Sequence, residues 1–222
     1  MTQIAQAEPI LTIDIVSDVV CPWCYIGKRK LEAALALPEA AGLPKVEIRW
    51  HPFQLNPDMA AQGISRKQYL EEKFGGPQRA AEIYARVRAA GKGAGLDLNI
   101  DGISLQPNTL AAHALIAFGQ QHGAGSMVKE GVLKAYFVEN RFIGSVDVLA
   151  EIAAEAGLDA AAARAWVSDP AQLQAVAVAD AQARSMGISG VPFFIFNQKL
   201  AVSGAQDPAT LLDAMQQAAA AA

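Results

Sequence analysis

The two cysteines of the chain, Cys21 and Cys24, are separated by only two residues in the segment DVVCPWCYIGKRKLEAAL. The apolar residues 10–16 before them have strand character, whereas the apolar spacing after them is helical. The pair is therefore predicted to lie where a buried strand ends and a helix begins. A cysteine in the first turn of a helix is close to unpaired backbone N–H groups and to the positive end of the helix dipole, and both lower the pKa of its thiol.

The composition is that of a chain that can bury a sizeable core. Its 222 residues are 52% hydrophobic and 18% charged, with a formal net charge of -4. Clustered Lys and Arg, long apolar runs and a basic N-terminal segment are all missing from the sequence, so we expect no nucleic acid partner, no membrane span and no secretory signal. The expected compartment is the cytoplasm, where a close cysteine pair indicates redox chemistry or metal binding.

The order of predicted elements divides the chain into three segments. Residues 1–55 have the pattern strand, helix, strand, as in a βαβ unit. Residues 56–187 have the pattern of successive helices, and residues 188–222 that of two strands followed by a helix. We therefore predict one small α/β domain of order βαβ…ββα that is interrupted by a large all-α insertion.

Cap and turn residues mark the ends of several of these elements. Ser65 and Gln68 have the spacing of a capping box at a helix start. Asn197 and Gln198 separate the last two predicted strands and indicate a hairpin turn. Asp207 stands where it could cap the final helix, which begins with a proline.

The spacing of the two cysteines suits a redox pair. Side chains three positions apart on a helix lie about 5–6 Å apart, close enough for a disulfide. We assign Cys21 as the exposed nucleophile and Cys24 as the more buried thiol that resolves a mixed disulfide. The alternatives are half of a zinc site or two incidental core thiols, but zinc needs about four ligands and the three histidines are scattered. A c-type haem site would need histidine where Tyr25 stands.

A second notable feature, the segment SGVPFF, lies far downstream of the cysteines. Its proline, Pro192, begins a predicted strand although it has no N–H group to donate to a neighbouring strand. This indicates either an ordinary edge strand or a special peptide geometry. We predict that the Val191–Pro192 peptide bond is cis.

Four segments in this order resemble the FrnE-like branch of the DsbA family, which consists of thioredoxin-fold disulfide oxidoreductases with a helical insertion. The resemblance covers nearly the whole chain and implies that Cys21 and Cys24 are the redox pair. It also implies that Pro192 is a cis-proline facing this pair, that Val191 pairs with an extended thiol substrate, and that no metal or prosthetic group is permanently bound. The segments are SDVVCPWCYIGKRKLEAAL, WHPFQLNPDM, PNTLAAHALI and GISGVPFFIFNQKLAVSGAQDP.

The same branch contains 2-hydroxychromene-2-carboxylate isomerases and kappa-class glutathione transferases. They generally have serine at the position of Cys21 and use bound glutathione as the thiol, so both cysteines of this chain favour dithiol chemistry. Glutathione stays a candidate redox co-substrate, beside protein thiols and disulfides. The alternatives are a glutathione-dependent isomerase or transferase and a non-catalytic binding module. The Ala-rich helices offer a candidate homodimer face that composition does not identify.

Three residues next to the cysteines are expected to influence the pair. Pro22 and Trp23 lie between the cysteines and are candidate substrate contacts. Trp23 carries no charge, which indicates a less oxidising pair than one with a cation at this position. Asp18, if it lies near the sulfur, would raise the pKa of Cys21 by repulsion between like charges. The alternative for Asp18 is a solvated loop carboxylate.

Three further residues, Asn108, His113 and His51, are each considered for a functional or a structural role. Asn108 and His113 belong to a motif that recurs in the related branch and are candidate cleft or glutathione contacts. Asn108, together with Thr109, more simply caps a helix, and His113 is either a cleft residue or a buried structural histidine. His51 is expected to be structural.

The segment after the last hairpin is the remaining candidate. In the related transferases this segment contacts glutathione, and here it consists of Gly204, Ala205 and Gln206 just before a predicted helix. Backbone N–H groups at a helix start favour a carboxylate such as that of a γ-glutamyl group. The alternative is simple capping of the helix by Asp207, whose own charge would repel the anion.

Overall fold

A computed structural model of the protein describes residues 9–221. Residues 1–8 and residue 222 lie outside the described residues. Part of the predicted 1–55 segment is therefore not described, and neither is part of the stretch on which the prediction of no secretory signal rests. The main sheet consists of β1 (Ile10–Ser17), β2 (Lys45–Pro52), β5 (Phe193–Phe196) and β6 (Leu200–Ser203), and a second sheet pairs β3 (Ile64–Ser65) with β4 (Leu105–Gln106). The strand order of the main sheet is β2-β1-β5-β6.

The helices account for most of the chain between β2 and β5. None of the helices within residues 9–221 is long and apolar enough to cross a membrane. The predicted order of strand, helix, strand, helical block, strand, strand and helix is confirmed. The helices are α1 (Pro22–Leu35), α2 (Arg66–Phe74), α3 (Pro77–Gly93), α4 (Leu110–Gln121), α5 (Gly125–Phe137), α6 (Val146–Glu155), α7 (Ala160–Ser168), α8 (Pro170–Ser185) and α9 (Pro208–Ala220), with 3₁₀ turns at Pro38–Gly42 and Ile100–Gly102.

Strand β1 occupies an interior position of the main sheet. It runs parallel to β2 and antiparallel to β5, so that Ile13 pairs with both Ile48 and Phe196. Almost all of β1 is buried, and a strand buried along its length is built from a near-continuous apolar run. Because both edges of β1 are paired, the segment that leads from it to Cys21 starts from a firmly held position.

The β5–β6 hairpin turns at Asn197 and Gln198, as the sequence predicts. Both residues have positive φ angles, 48° and 56°, as the two central residues of a type I′ turn do. The Asn197 carboxamide oxygen accepts a hydrogen bond from the Thr12 N–H at 2.9 Å, and its nitrogen donates to the Ala218 carbonyl at 3.1 Å. The turn is therefore held against both β1 and α9.

The insertion is helical, with one small exception that the sequence did not predict. The two-residue strands β3 and β4 pair with each other just before α2 and α4, so the predicted block is not purely α. A strand of two residues is too short to show an alternating pattern. Ser65 caps α2 by accepting a hydrogen bond from the Gln68 N–H at 3.2 Å, whereas the Gln68 side chain bonds Glu72 instead of completing a capping box. The proposed segment boundaries at residues 55 and 187 stay predictions.

One glutamine joins the insertion to the main sheet. Strand β2 is an edge strand, and at Trp50 its outer N–H and C=O groups have no strand to pair with. The Gln120 side chain, on α4, accepts from the Trp50 N–H at 2.7 Å and donates to the Trp50 carbonyl at 3.0 Å. The carboxamide thus takes the place of a neighbouring strand and protects this part of the edge.

A close contact between α1 and β5 leads to the first prediction. A Cβ atom on Gly27 would lie 2.9 Å from Cγ of Pro192 and 3.3 Å from Cζ of Phe194. Replacing glycine by alanine within a helix normally stabilises it by about 0.5–1 kcal/mol. We expect Gly27→Ala to destabilise the protein instead, by about 1–3 kcal/mol, because the added methyl group overpacks this contact.

The change in the free energy of unfolding is measured by urea unfolding of Gly27→Ala and of a matched control variant. Gly93, at the end of α3, has open space where a Cβ atom would lie and an ordinary φ angle, so Gly93→Ala should be neutral or stabilising. If Gly27→Ala were as stable as Gly93→Ala, Pro192 would not pack tightly against α1 at Gly27.

Candidate active site

The cysteine pair lies at the start of α1, as the sequence predicts. Cys21 is the N-cap residue, Pro22 is the first helical residue, and the Cys24 N–H donates to the Cys21 carbonyl at 3.0 Å. Cys21 and Cys24 approach to within 3.6 Å and are not joined by a disulfide. The expectation that Cys21 is exposed is wrong: only 5% of Cys21 and 2% of Cys24 is accessible to solvent. Burial therefore does not distinguish the two thiols.

The electrostatic surroundings do distinguish them. A hydrogen bond from the Cys24 thiol, together with the backbone N–H groups of Trp23 and Cys24, lowers the pKa of Cys21 despite the opposing effect of burial. Burial raises the pKa of Cys24 well above its ordinary value, and its hydrogen bond to the Cys21 sulfur raises it further. When the pair loses one proton, the thiolate therefore resides mainly on Cys21.

The strand-initiating proline lies beside this sulfur. The Val191–Pro192 peptide bond is cis, as the sequence predicts. The Cys21 thiol donates a weak hydrogen bond to the Val191 carbonyl oxygen at 3.7 Å, so residues 170 positions apart meet at the site. The Pro192 carbonyl accepts a hydrogen bond from the Gly204 N–H at 2.8 Å, which connects the proline loop to the end of β6.

Asp18, three residues before Cys21, is fully buried rather than solvated. Its carboxylate accepts hydrogen bonds from the N–H groups of Val19 at 2.7 Å and Leu55 at 2.8 Å, and it lies 3.1 Å from Nε2 of His113. The interpretation of Asp18 as a solvated loop carboxylate is therefore wrong. Its negative charge also raises the pKa of Cys21, in opposition to the hydrogen bond from Cys24.

Lys129, on α5, is a residue of the site that the sequence analysis missed. It is 1% exposed, and its charge favours the thiolate form of Cys24. Burial lowers its own pKa to about 8, although the negative charges of Cys24 and Asp18 oppose this shift. The sequence does contain a signal, because Lys129 is spaced three and seven residues from the buried Val132 and Tyr136 and so lies on the apolar face of α5.

The two residues between the cysteines differ in exposure. Trp23 is 40% exposed, as expected for a residue that could meet a substrate, and Pro22 is half-buried. Phe53 and Phe194 lie in the core. Trp23 is thus a large apolar side chain presented to solvent directly beside the thiol pair.

Asn108 and His113 have clear local partners. Asn108 accepts from the Leu110 N–H at 2.8 Å and donates to the Met59 carbonyl at 2.7 Å, so it supports the start of α4. Thr109 is the N-cap residue but makes no capping hydrogen bond with its side chain. His113 is buried against Asp18, and burial lowers its pKa, which corresponds to the interpretation as a structural histidine.

The segment after β6 is held by α1. Lys30 forms an ion pair with Asp207 at 2.7 Å and donates to the Ala205 carbonyl at 3.1 Å. The expectation that the Asp207 side chain caps α9 is wrong, because it makes no hydrogen bond to that helix and binds Lys30 instead. Gln206 donates to the Ser203 carbonyl at 2.9 Å, and Gly204 lies beside the proline loop through its bond to Pro192.

The two other histidines, His51 and His122, each have a local polar partner. His51 lies 2.7 Å from the Asp14 carboxylate on the neighbouring strand, and His122 contacts the Phe118 carbonyl at 2.8 Å. Across residues 9–221 there is no group of three or more His, Cys, Asp or Glu side chains arranged to hold a metal ion.

Comparisons with known proteins place the chain among thioredoxin-like folds. The sequence pattern of the DSBA-like thioredoxin domain family matches residues 12–216. A probable DsbA oxidoreductase from Streptomyces coelicolor is 30% identical in sequence, with a TM-score of 0.83 over 94% of this chain and 89% of that one. The Bacillus subtilis protein YwbO, described as uncharacterized, is 29% identical over 153 residues, which is 67% of this chain and 68% of YwbO.

More distant structures share the fold. The cytosolic disulfide reductase DsbM from Pseudomonas aeruginosa, solved with GSH, has a TM-score of 0.61 at 22% identity and covers 94% of this chain and 96% of its own. A 2-hydroxychromene-2-carboxylate isomerase has a TM-score of 0.67 at 16% identity and covers 93% of this chain and 95% of its own. At these identities the likeness is one of architecture.

The hydrogen bond between the two thiols leads to a prediction about the pKa of Cys21. In the intact protein this pKa should lie below that of free cysteine, which is about 8.5. Cys24→Ala removes the donor and should raise the pKa of Cys21. Cys24→Ser keeps a hydroxyl donor at the same position and should raise it less. The pKa of Cys21 in the wild type and in both variants is measured from the ultraviolet absorbance of the thiolate as a function of pH. Equal pKa values in the two variants would show that the hydrogen bond from residue 24 does not lower the pKa of Cys21.

The buried carboxylate of Asp18 leads to a second prediction about the pKa of Cys21. Asp18→Asn removes a negative charge near Cys21 and should lower the pKa of that thiol. The same change should destabilise the protein by about 1–3 kcal/mol, because one of the buried N–H groups loses its acceptor. Thiolate absorbance and urea unfolding measure the two effects. Asp97→Asn, at an exposed carboxylate in the loop after α3, is the control that should change neither. A Cys21 pKa that does not fall would show that Asp18 does not act on it.

Proposed function

Because the chain belongs to the DSBA-like thioredoxin domain family, whose members include disulfide oxidoreductases, we propose that Cys21 exchanges disulfides with a substrate and that Cys24 resolves the product. The observation that carries this assignment is the opposite shift of the two pKa values within one close pair. The sulfur with the lowered pKa is available as a thiolate, and its neighbour keeps its proton until it is needed.

In the reducing direction the reaction has two steps. The Cys21 thiolate attacks one sulfur of a substrate disulfide, which forms a mixed disulfide and releases the other substrate sulfur as a thiolate. Cys24 then loses its proton and attacks the sulfur of Cys21, which releases the second substrate thiolate and leaves a Cys21–Cys24 disulfide. Two electrons pass from the pair to the substrate, and the oxidising direction is the reverse.

The second step needs a thiolate on Cys24, whose pKa is raised. Once Cys21 is bound in a mixed disulfide, it no longer holds the negative charge that opposes ionisation of Cys24. The positive charge of Lys129 favours that ionisation throughout. The pair is thus arranged so that formation of the mixed disulfide itself makes Cys24 a better nucleophile.

Substrate binding is assigned to the residues around Cys21. The Val191 carbonyl faces the sulfur of Cys21, so an extended peptide that replaces this contact would pair with the backbone of Val191 as an added strand. Pro192 positions that backbone and Trp23 offers an exposed apolar surface beside it. Pro22 fixes the first turn of the helix between the two thiols.

Glutathione is the proposed small-molecule partner, and the cytoplasm is the proposed compartment. The architectural likeness to a cytosolic disulfide reductase solved with GSH supports both. Gly204 lies next to the proline loop, which makes the segment 204–206 a reasonable contact for a bound tripeptide. Asp207 is engaged by Lys30, so its charge is partly neutralised there.

A trapping experiment tests the assignment of roles. Cys24→Ser treated with oxidised glutathione should keep one glutathione on Cys21 as a stable mixed disulfide, detected by intact mass. Cys21→Ser should react far more slowly, because the remaining thiol has a raised pKa. The wild type should proceed to the internal disulfide and release glutathione.

Two outcomes would contradict the proposal. If Cys21→Ser were the variant that accumulated the mixed disulfide, the roles of the cysteines would be reversed. If Cys24→Ser kept full disulfide turnover, a single thiol would suffice and the chemistry would be that of a glutathione-dependent isomerase or transferase.

A further inference from the structure

A cavity lies beside the cysteine pair, between the edge strand β2 and the helices of the insertion. Its volume is about 510 Å³, within the range of small-molecule sites. Helices α4, α5, α7 and α8 contribute to its walls. Neither cysteine and no residue of the proline loop lines it, but Lys129 and His113, which lie beside the thiols, form part of its wall.

The cavity contains a buried cation that makes no direct polar contact among residues 9–221, although the charges of Cys24 and Asp18 act on it. Lys129 is 1% exposed and lines the cavity, with its Nζ 5.3 Å from the centre of the Trp50 ring. Within the described part of the chain, no residue forms a hydrogen bond or a salt bridge with this ammonium group. Its pKa is lowered by burial to about 8, so it is mainly charged at pH 7. A buried charge is normally paired, because leaving it unpaired is costly.

The remaining walls favour an anion with an apolar body. Trp166 also lines the cavity, and its indole N–H is buried with no hydrogen-bond partner. Arg49 lines the cavity from β2, where its charge is paired with Glu47, and none of the residues that line the cavity is acidic. Ile116 and Val176 are among the apolar residues that line the rest.

We propose that this cavity binds a small organic monocarboxylate with an apolar body. The carboxylate is placed at Lys129, where its negative charge compensates the buried ammonium and its oxygens accept hydrogen bonds. The apolar body is placed against Trp50 and the aliphatic wall, where it is removed from water. Lys129 is the buried cation of this cavity, and a single buried positive charge suits a single negative charge.

Calorimetric titration at pH 7 with two probes, benzoate and hexanoate, tests the proposal on the full-length protein. At least one should bind saturably in the millimolar range or tighter. The matching neutral amide, benzamide or hexanamide, should bind at least about tenfold more weakly, because its oxygen carries no charge to attract the Lys129 ammonium. The proposal is overturned if neither acid binds or if acid and amide bind equally.

Variants locate the site. Lys129→Met should weaken binding by about tenfold or more. Lys134→Met, at an exposed lysine on the same helix and outside the cavity, is the matched control and should bind as the wild type does. Unchanged binding in Lys129→Met would overturn the proposal.

A second variant covers the case in which Lys129→Met does not fold. Ala175 is a solvent-accessible residue at the cavity wall, so Ala175→Phe should partly fill the cavity without disturbing the core. It leaves the charge of Lys129 in place and should still weaken binding severalfold. If Ala175→Phe bound the probe as the wild type does, the ligand would lie elsewhere. Binding is measured without any redox reaction, so this result is independent of the thiol chemistry.

Discussion

The buried carboxylate of Asp18 is the interaction on which the rest of the site depends. It accepts hydrogen bonds from Val19 and Leu55, which follow β1 and β2, and it lies against His113 in α4. One side chain therefore connects the segment that precedes the cysteines, the segment that follows β2 and a helix of the insertion. A carboxylate can do this because it has two oxygens that each accept more than one hydrogen bond, even when fully buried.

The same position makes Asp18 part of the balance of charge at the thiols. Its negative charge disfavours the thiolate of Cys21, whereas the hydrogen bond from Cys24 and the backbone N–H groups at the start of α1 favour it. Lys129 contributes the opposite charge from α5, where it favours the thiolate of Cys24. The reactivity of the pair is thus the result of several opposing effects, of which the sequence around the cysteines contains only some.

The helical insertion does more than cover the sheet. Through Gln120 it satisfies the edge of β2, and through His113 and Lys129 it supplies a neutral and a positively charged side chain to the interior beside the thiols. Between the insertion and β2 it leaves the cavity that contains Lys129 and Trp166. The cysteines belong to the first part of the chain, but the environment that controls them comes largely from the insertion.

Local patterns in the sequence determined the order of the elements, the cysteine pair at the start of a helix, the turn at Asn197 and Gln198 and the special proline, because each depends on residues adjacent in the chain. Only the tertiary structure decided that both thiols are buried, that Asp18 and Lys129 lie beside them, and that Asp207 binds Lys30 instead of capping a helix. These facts depend on residues far apart in sequence, and a charged side chain has the same local pattern whether it faces solvent or a buried partner. The burial of Lys129 is the exception, because its spacing from Val132 and Tyr136 already places it on the apolar face of α5.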